Sequence, residues 1–285
     1  MRMKSRLRRP LALAAAAAVG IFALMVGAYF VGPVSRWDAS ALDGLRTLSV
    51  HPWIWHIGDF FVHSADPGFI VAALICVCAA GLLQGRRRQA VAAALLVGGA
   101  GLVCALFKVL AAHPRFHPAL GAHQLGDTAF PSGHATAAMS IALAAVLVAR
   151  KGRPRLLAAI AGGAYTLAVS ISLVVQGWHF PSDVLAGLLV STAIGMLVLA
   201  GLRASADPAW RPVRRPWLSL RSDGVRVVEV LAAGVALVLA AIAVLFPAGL
   251  ASFAATYTSG LAAAALIALA AIVLVSALTA ELEAG

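Results

Sequence analysis

Eight apolar runs, separated by short polar or basic stretches, leave this chain few ways to fold. They fall near 12–33, 68–84, 89–111, 134–149, 156–176, 183–202, 226–247 and 256–280. Most approach the ~20 residues that cross a bilayer as a helix. Hydrocarbon offers no water to backbone N–H and C=O groups, so each spanning segment satisfies them internally, as an α-helix. The chain is 62% hydrophobic and 12% charged, too apolar for an ordinary soluble protein of 285 residues. The expected fold is all-α: a polytopic membrane helical bundle. Arg2, Lys4, Arg6, Arg8 and Arg9 precede the first run, as in a secretory signal. Its about 22 apolar residues exceed the ~7–15 of such a signal, which favours a retained helix.

Charge placement sets the expected topology. Eighteen of the 22 Lys and Arg residues lie in the N-terminal tail and the loops near 85–89, 150–155 and 203–226. Eight spans put these four regions on one side, which the positive-inside rule makes cytoplasmic. Both termini then face the cytoplasm from a plasma (inner) membrane. The exceptions, Arg36, Arg46, Lys108 and Arg115, share the opposite, extracytoplasmic side. The net charge of +11 therefore reads as topology and attraction to anionic headgroups of the lipid bilayer. Nucleic acid is not an expected partner, because the basic residues are scattered among short loops.

Residues 34–67 do not span. Trp37, Trp53, Trp55, Phe60 and Phe61 stand there among Asp38, Asp43, Asp59 and three histidines. Aromatic residues favour the bilayer interface, so one or two short amphipathic helices lying there are expected. His51, His56 and His63 have no metal-ligand spacing. Cys76, Cys78 and Cys104 fall inside spans without a ligand cluster and read as small buried apolar residues. No metal site and no cofactor is expected. The last two runs read as packing or oligomerisation helices.

Two polar islands break the apolar pattern: Pro131-Ser132-Gly133-His134 and His179-Phe180-Pro181-Ser182-Asp183. Ionisable residues at membrane boundaries are costly and tend to mark chemistry. In the first island, proline and Ser132 suit a helix start. Gly133 permits close backbone approach, and free N–H groups at a helix start favour an anion. In the second, Pro181 fits a first helical turn, which brings His179 and Asp183 within reach of each other. A carboxylate on one imidazole nitrogen fixes the tautomer and makes the other a better nucleophile. Lys108 and Arg115 add two cations on the same side. Together these residues suggest a site that attacks and neutralises a phosphate.

The islands and the upstream cations resemble the type 2 phosphatidic acid phosphatase (PAP2) superfamily. Its first block is Lys, six residues, Arg-Pro, matched by Lys108 and Arg115. Its second, Pro-Ser-Gly-His, is matched completely by Pro131 to His134. Its third, Ser-Arg, five residues, His, three residues, Asp, is matched at Ser172, His179 and Asp183. The resemblance covers roughly residues 35–202. Two positions depart: Phe116 replaces the proline of the first block, and Leu173 the arginine of the third. That arginine is a phosphate ligand in the family, and removing one preorganised donor costs on the order of 10²–10³ in rate. Gln176, His113 and His117 are candidate replacements.

The resemblance implies a six-helix PAP2-like core over 1–202, including the interfacial segment 34–67. A basic cytoplasmic loop at 203–225 and two additional transmembrane helices over 226–285 follow. It also implies a metal-independent membrane lipid phosphatase. His179 attacks phosphorus to give a phosphohistidine, Asp183 orients it, and His134 protonates the leaving oxygen and later activates water. Lys108, Arg115 and the Ser132–Gly133 amides hold the phosphoryl oxygens. The implied partner is a membrane lipid phosphate, polyprenyl diphosphate first, with phosphatidic acid and phosphatidylglycerol phosphate as alternatives. A lipid phosphotransferase and a non-catalytic lipid-binding or transport protein are the competing readings, the last because of Leu173.

Overall fold

Prolines open half of the described α-helices, because their fixed φ and missing N–H cost nothing in a first turn. Pro33, Pro52, Pro67, Pro154 and Pro181 all occupy the first or second helical position. A computed structural model describes residues 2–122, 124–205, 225, 227–236 and 255–284. Ten α-helices follow one another among them: α1 (Arg2–Phe30), α2 (Gly32–Arg46), α3 (Pro52–His63), α4 (Pro67–Leu83) and α5 (Arg87–Leu110). Then come α6 (Gly133–Val148), α7 (Arg153–Val175), α8 (Pro181–Ala204), α9 (Val227–Ala236) and α10 (Thr258–Ala284). The described residues contain no strand.

Among the described residues, five helices are long and apolar enough to cross a membrane: α1 over Leu7–Phe30, α5, α7, α8 and α10. The expected spans at 68–84 and 134–149 differ from these. α4 reaches that length only together with α3, from which it is bent by 59°. α6 has 16 residues, about 24 Å of helix. The reason is burial. Ala138, Met139, Leu143, Val146 and Leu147 are all fully buried, so α6 is wrapped by protein and need not match the hydrocarbon thickness that lipid-facing helices meet. Of the expected span at 226–247, α9 is described. The remainder, and the basic loop over 206–224, lie outside the described residues.

Two ends of the bundle are chemically distinct. At one end Arg86 donates to the Ala149 carbonyl at 3.1 Å, and Arg155 donates to Ala149 and Leu282. Arg203 pairs with Glu281 at 3.0 Å, and Arg88 donates to Ser205. The α4–α5 turn, the α6–α7 link and the ends of α8 and α10 thus meet at a basic end. The opposite end gathers the loop between α5 and α6, the start of α8, and α2. Tyr29, near the end of α1, donates to Ala111 there at 3.1 Å, and Ser40 and Ser259 share a hydrogen bond of 2.8 Å.

The segment expected at the interface forms two helices joined by a 3-10 turn (Thr47–Val50). Trp53, Trp55 and Phe60 are exposed as amphipathic helices would have them. α2 does more than lie on a surface. Asp38, Ala41, Leu42 and Leu45 are buried, so α2 closes the bundle and carries a carboxylate into it.

Candidate active site

Small residues allow α8 to seat directly on the start of α6. A Cβ added at Gly187 would stand 2.6 Å from the Ser132 carbonyl oxygen, nearer than any side chain tolerates. Hydroxyls then tie the two helices together. Thr136 donates to Gly187 O at 3.3 Å and Ser191 donates to Thr136 O at 2.7 Å, while the backbone N–H of Ser132 donates to Asp183 O at 2.9 Å. Ser132 caps α6 by accepting from the Ala135 N–H at 3.3 Å. The two polar islands are therefore one construction.

Asp183, fully buried, is the hub. Its Oδ2 accepts from the Phe180 N–H at 3.0 Å, the reach-back of a third-position acid to its helix cap. Its Oδ1 accepts from Arg115 Nη1 at 3.0 Å. His179 Nδ1 lies 3.6 Å from Asp183 Oδ2, within electrostatic reach but short of a hydrogen bond, and has no hydrogen-bond partner. The expected His179–Asp183 pair is brought together but left open. Such contacts commonly tighten only when substrate binds. His179 is displayed by a turn at Gly177, whose φ of +73° suits glycine. The Arg46 side chain lies across that glycine, 2.7 Å from where a Cβ would sit.

Arg115 does not stand free. Nη2 donates to Asp38, Nη1 donates to Asp183 and to Ser182 Oγ, and the guanidinium lies 3.7 Å over the Phe180 ring. Only Nε lacks a partner. Asp38 also accepts from the Ser182 N–H at 3.0 Å and from Ser182 Oγ. Burial pushes the Asp38 carboxyl up, a shift the Arg115 guanidinium opposes. In this arrangement Arg115 organises two carboxylates, and what it offers a phosphate is limited to Nε and its net field. Lys108, half-buried at the end of α5, differs: its side chain passes 3.8 Å from the Gly133 Cβ position and forms no hydrogen bond or ion pair among the described residues.

His134, second residue of α6, bonds through Nε2 to Asp66 Oδ1 at 3.0 Å, with the edge of Trp178 beside it. His179 and Lys108 are close enough to act on its ring electrostatically. All seven expected site residues, Lys108, Arg115, Ser132, Gly133, His134, His179 and Asp183, thus gather at one end of the bundle.

The departures from the family pattern are also placed. Phe116 is exposed. Leu173 is fully buried in the core, and its carbonyl accepts from the Trp178 N–H. The candidate replacements have other partners. Gln176 donates to Trp55 O at 2.7 Å, His113 stacks on Tyr29 at 4.7 Å, and His117 Nε2 lies 3.1 Å from Ser35 Oγ. Burial, and then Arg115, hold His117 below its ordinary pKa. Asp38 and Asp66 were not expected here. Each is an acid in a segment that otherwise reads as interfacial. Among the described residues, no group of three or more His, Cys, Asp or Glu side chains is placed to hold a metal ion.

Residues 89–206 match the PAP2 superfamily. No curated protein sequence matches the chain significantly. Among solved structures, the transmembrane PAP2-type phosphatidylglycerolphosphate phosphatase from Bacillus subtilis superposes with a TM-score of 0.58 at 20% identity. The superposition covers 69% of this chain and 98% of that one, so the fold is that of a PAP2 membrane phosphatase. The Pro131–His134 and His179–Asp183 islands both lie inside the stretch that matches the PAP2 superfamily.

Proposed function

We propose that this protein is an integral membrane lipid phosphatase working through a phosphohistidine and needing no metal. The observation that carries the reading is the meeting of His179, His134, Asp183 and Lys108 around the Ser132–Gly133 helix start, at one end of a membrane bundle. With Nδ1 turned toward Asp183, Nε2 of His179 is the attacking nitrogen. The bond to the leaving oxygen breaks as the N–P bond forms, and His134 supplies the proton that oxygen needs. Water then attacks phosphorus, gives its proton to His134, and returns the electron pair to His179. Lys108, Arg115 and the amides at the start of α6 offset the phosphoryl charge.

The lipid class is supported by a groove of about 530 Å³ between α1 and α5, lined by Met25, Tyr29, Phe30, Val103, Phe107 and His113. It opens on the apolar flank, and Tyr29 joins it to the site through Phe130 and Arg115. The basic end of the bundle, under the positive-inside rule, is cytoplasmic, which turns the site to the extracytoplasmic face of the plasma membrane. Polyprenyl diphosphate is the first substrate to try. Phosphatidylglycerol phosphate, which the Bacillus subtilis protein is named for, and phosphatidic acid follow. The burial of Leu173 and the two carboxylates on Arg115 favour a second reading, a pocket that binds lipid phosphate with little turnover.

Phosphate release by purified protein in detergent, with excess chelator and a His179→Ala control, tests both. Chelator-resistant release that vanishes in the control supports the phosphatase. Lipid phosphate bound without release supports the binder.

A further inference from the structure

We propose that Asp66 is the positioning residue for His134, so that the site holds two Asp–His pairs: Asp183 with His179, and Asp66 with His134. The inference rests on the phosphatase reading for its kinetic consequence but not for the pair itself.

Asp66 occupies the N-cap position of α4, directly before Pro67, where an aspartate ordinarily accepts a hydrogen bond from its own helix. Here it makes no such bond. Its Oδ1 instead meets Nε2 of His134, 68 residues later in the chain, at 3.0 Å. A carboxylate that leaves its own helix uncapped and bonds a distant imidazole is placed for that imidazole. An ionised carboxylate only accepts, so the proton on Nε2 belongs to His134. Nδ1 is then the nitrogen that exchanges a proton with substrate and water.

The step balances on that nitrogen. With the ring cationic, Nδ1–H protonates the leaving oxygen as its bond to phosphorus breaks, and His134 becomes neutral with Nε2–H still on Asp66. Water attacking the phosphohistidine returns a proton to Nδ1. Asp66 neither gains nor loses a proton. It fixes the tautomer and favours the cation that the first step requires.

Other groups facing the ring pull differently. Burial of the ring disfavours its cation most, then His179 from the α7–α8 turn and Lys108 from the end of α5, and Asp66 is the carboxylate in contact that opposes them. Trp178 packs between His134 and His63, and His63 is engaged by Asp59 at 3.4 Å. Asp66 is also partly exposed, with 38% of its side-chain surface accessible, so a change there alters charge without opening the core.

The test compares Asp66→Asn and Asp66→Glu with the unaltered protein, by two independent readouts. First, nitrogen-15 histidine NMR in detergent micelles assigns the His134 tautomer and follows its titration, using His134→Gln to identify the signal. The expected result is Nε2–H in the neutral ring, and a titration moved to lower pH by about one unit in Asp66→Asn. Second, phosphate release against pH gives the rate. The alkaline limb moves down with the titration in Asp66→Asn, kcat falls about tenfold above neutrality with KM little changed, and Asp66→Glu recovers much of the loss. An Nδ1–H tautomer, or a His134 titration unmoved by Asp66→Asn, overturns the pair. A moved titration in a protein releasing no phosphate keeps the pair and overturns the phosphatase reading.

Discussion

The two histidines sit in opposite surroundings. Around His179 the polar groups are buried and held several times over. Asp183 is bound by Arg115 and the Phe180 amide, Arg115 by Asp38, and Asp38 by Ser182. Around His134 there is one hydrogen-bonded partner, Asp66, itself partly exposed, and an aromatic edge. A nucleophile that must meet phosphorus in line benefits from a rigid frame. A group that carries protons between a departing lipid and arriving water needs access to both. The contrast matches the roles proposed for them.

The comparison breaks most directly at the histidines themselves. His179→Ala is expected to lower phosphate release at least ~10³-fold for every substrate, measured on protein that still elutes as a monodisperse species. His134→Ala should cost ~10²–10⁴ in the first-turnover release of a lipid alcohol, but far less in the first-turnover burst from an aryl phosphate, whose leaving oxygen needs no proton. Equal losses with both substrates would remove the distinction between the roles.

Stability separates the two acids. Asp38→Asn takes one carboxylate from Arg115, which keeps its pair with Asp183, and weakens the acceptor of Ser182; it is expected to cost about 1–3 kcal/mol and to appear as a lower thermal midpoint in detergent. Asp66→Asn should leave that midpoint in place. Packing beneath both histidines is tested by Gly187→Ala, whose Cβ would press on Ser132 O. It should cost ~1–3 kcal/mol and disturb His134 and His179 alike, seen as broadened signals for both rings. The smallest effect expected is that of Ser132→Ala, about 1 kcal/mol for the lost cap of α6, read in the same unfolding assay.

Much of the site was legible because its parts are local. Pro131 to His134 and His179 to Asp183 each sit at one helix start, where residue type and spacing dictate geometry. The spans were legible because hydrocarbon imposes one length on every lipid-facing helix. α6 escapes that rule through burial: the apolar run at 134–149 gave its length to within a residue, but not that protein rather than lipid would surround it. Asp38 and Asp66 were hidden for another reason. Asp38 reaches Arg115 across 77 residues and Asp66 reaches His134 across 68, and an acid before Pro67 looks like an ordinary helix cap. Leu173 was legible as a departure, but its full burial shows something the pattern did not: the position belongs to the core here.

α10 has a bearing on how the protein comes into being. Ser259 reaches Ser40, Tyr257 packs on Gly44, and Gly260 admits the backbone of α2 near Ala41 and Leu45. The helix bearing Asp38 is therefore seated against a segment made more than 200 residues later, Ser40 and Ser259 being 219 apart. Chains are built and inserted from the N-terminus, so the seven site residues leave the ribosome well before the brace behind Asp38 exists. A nascent chain halted near residue 205 would carry every one of those seven residues with α2 still unsupported, and assembly of the site would wait on α10.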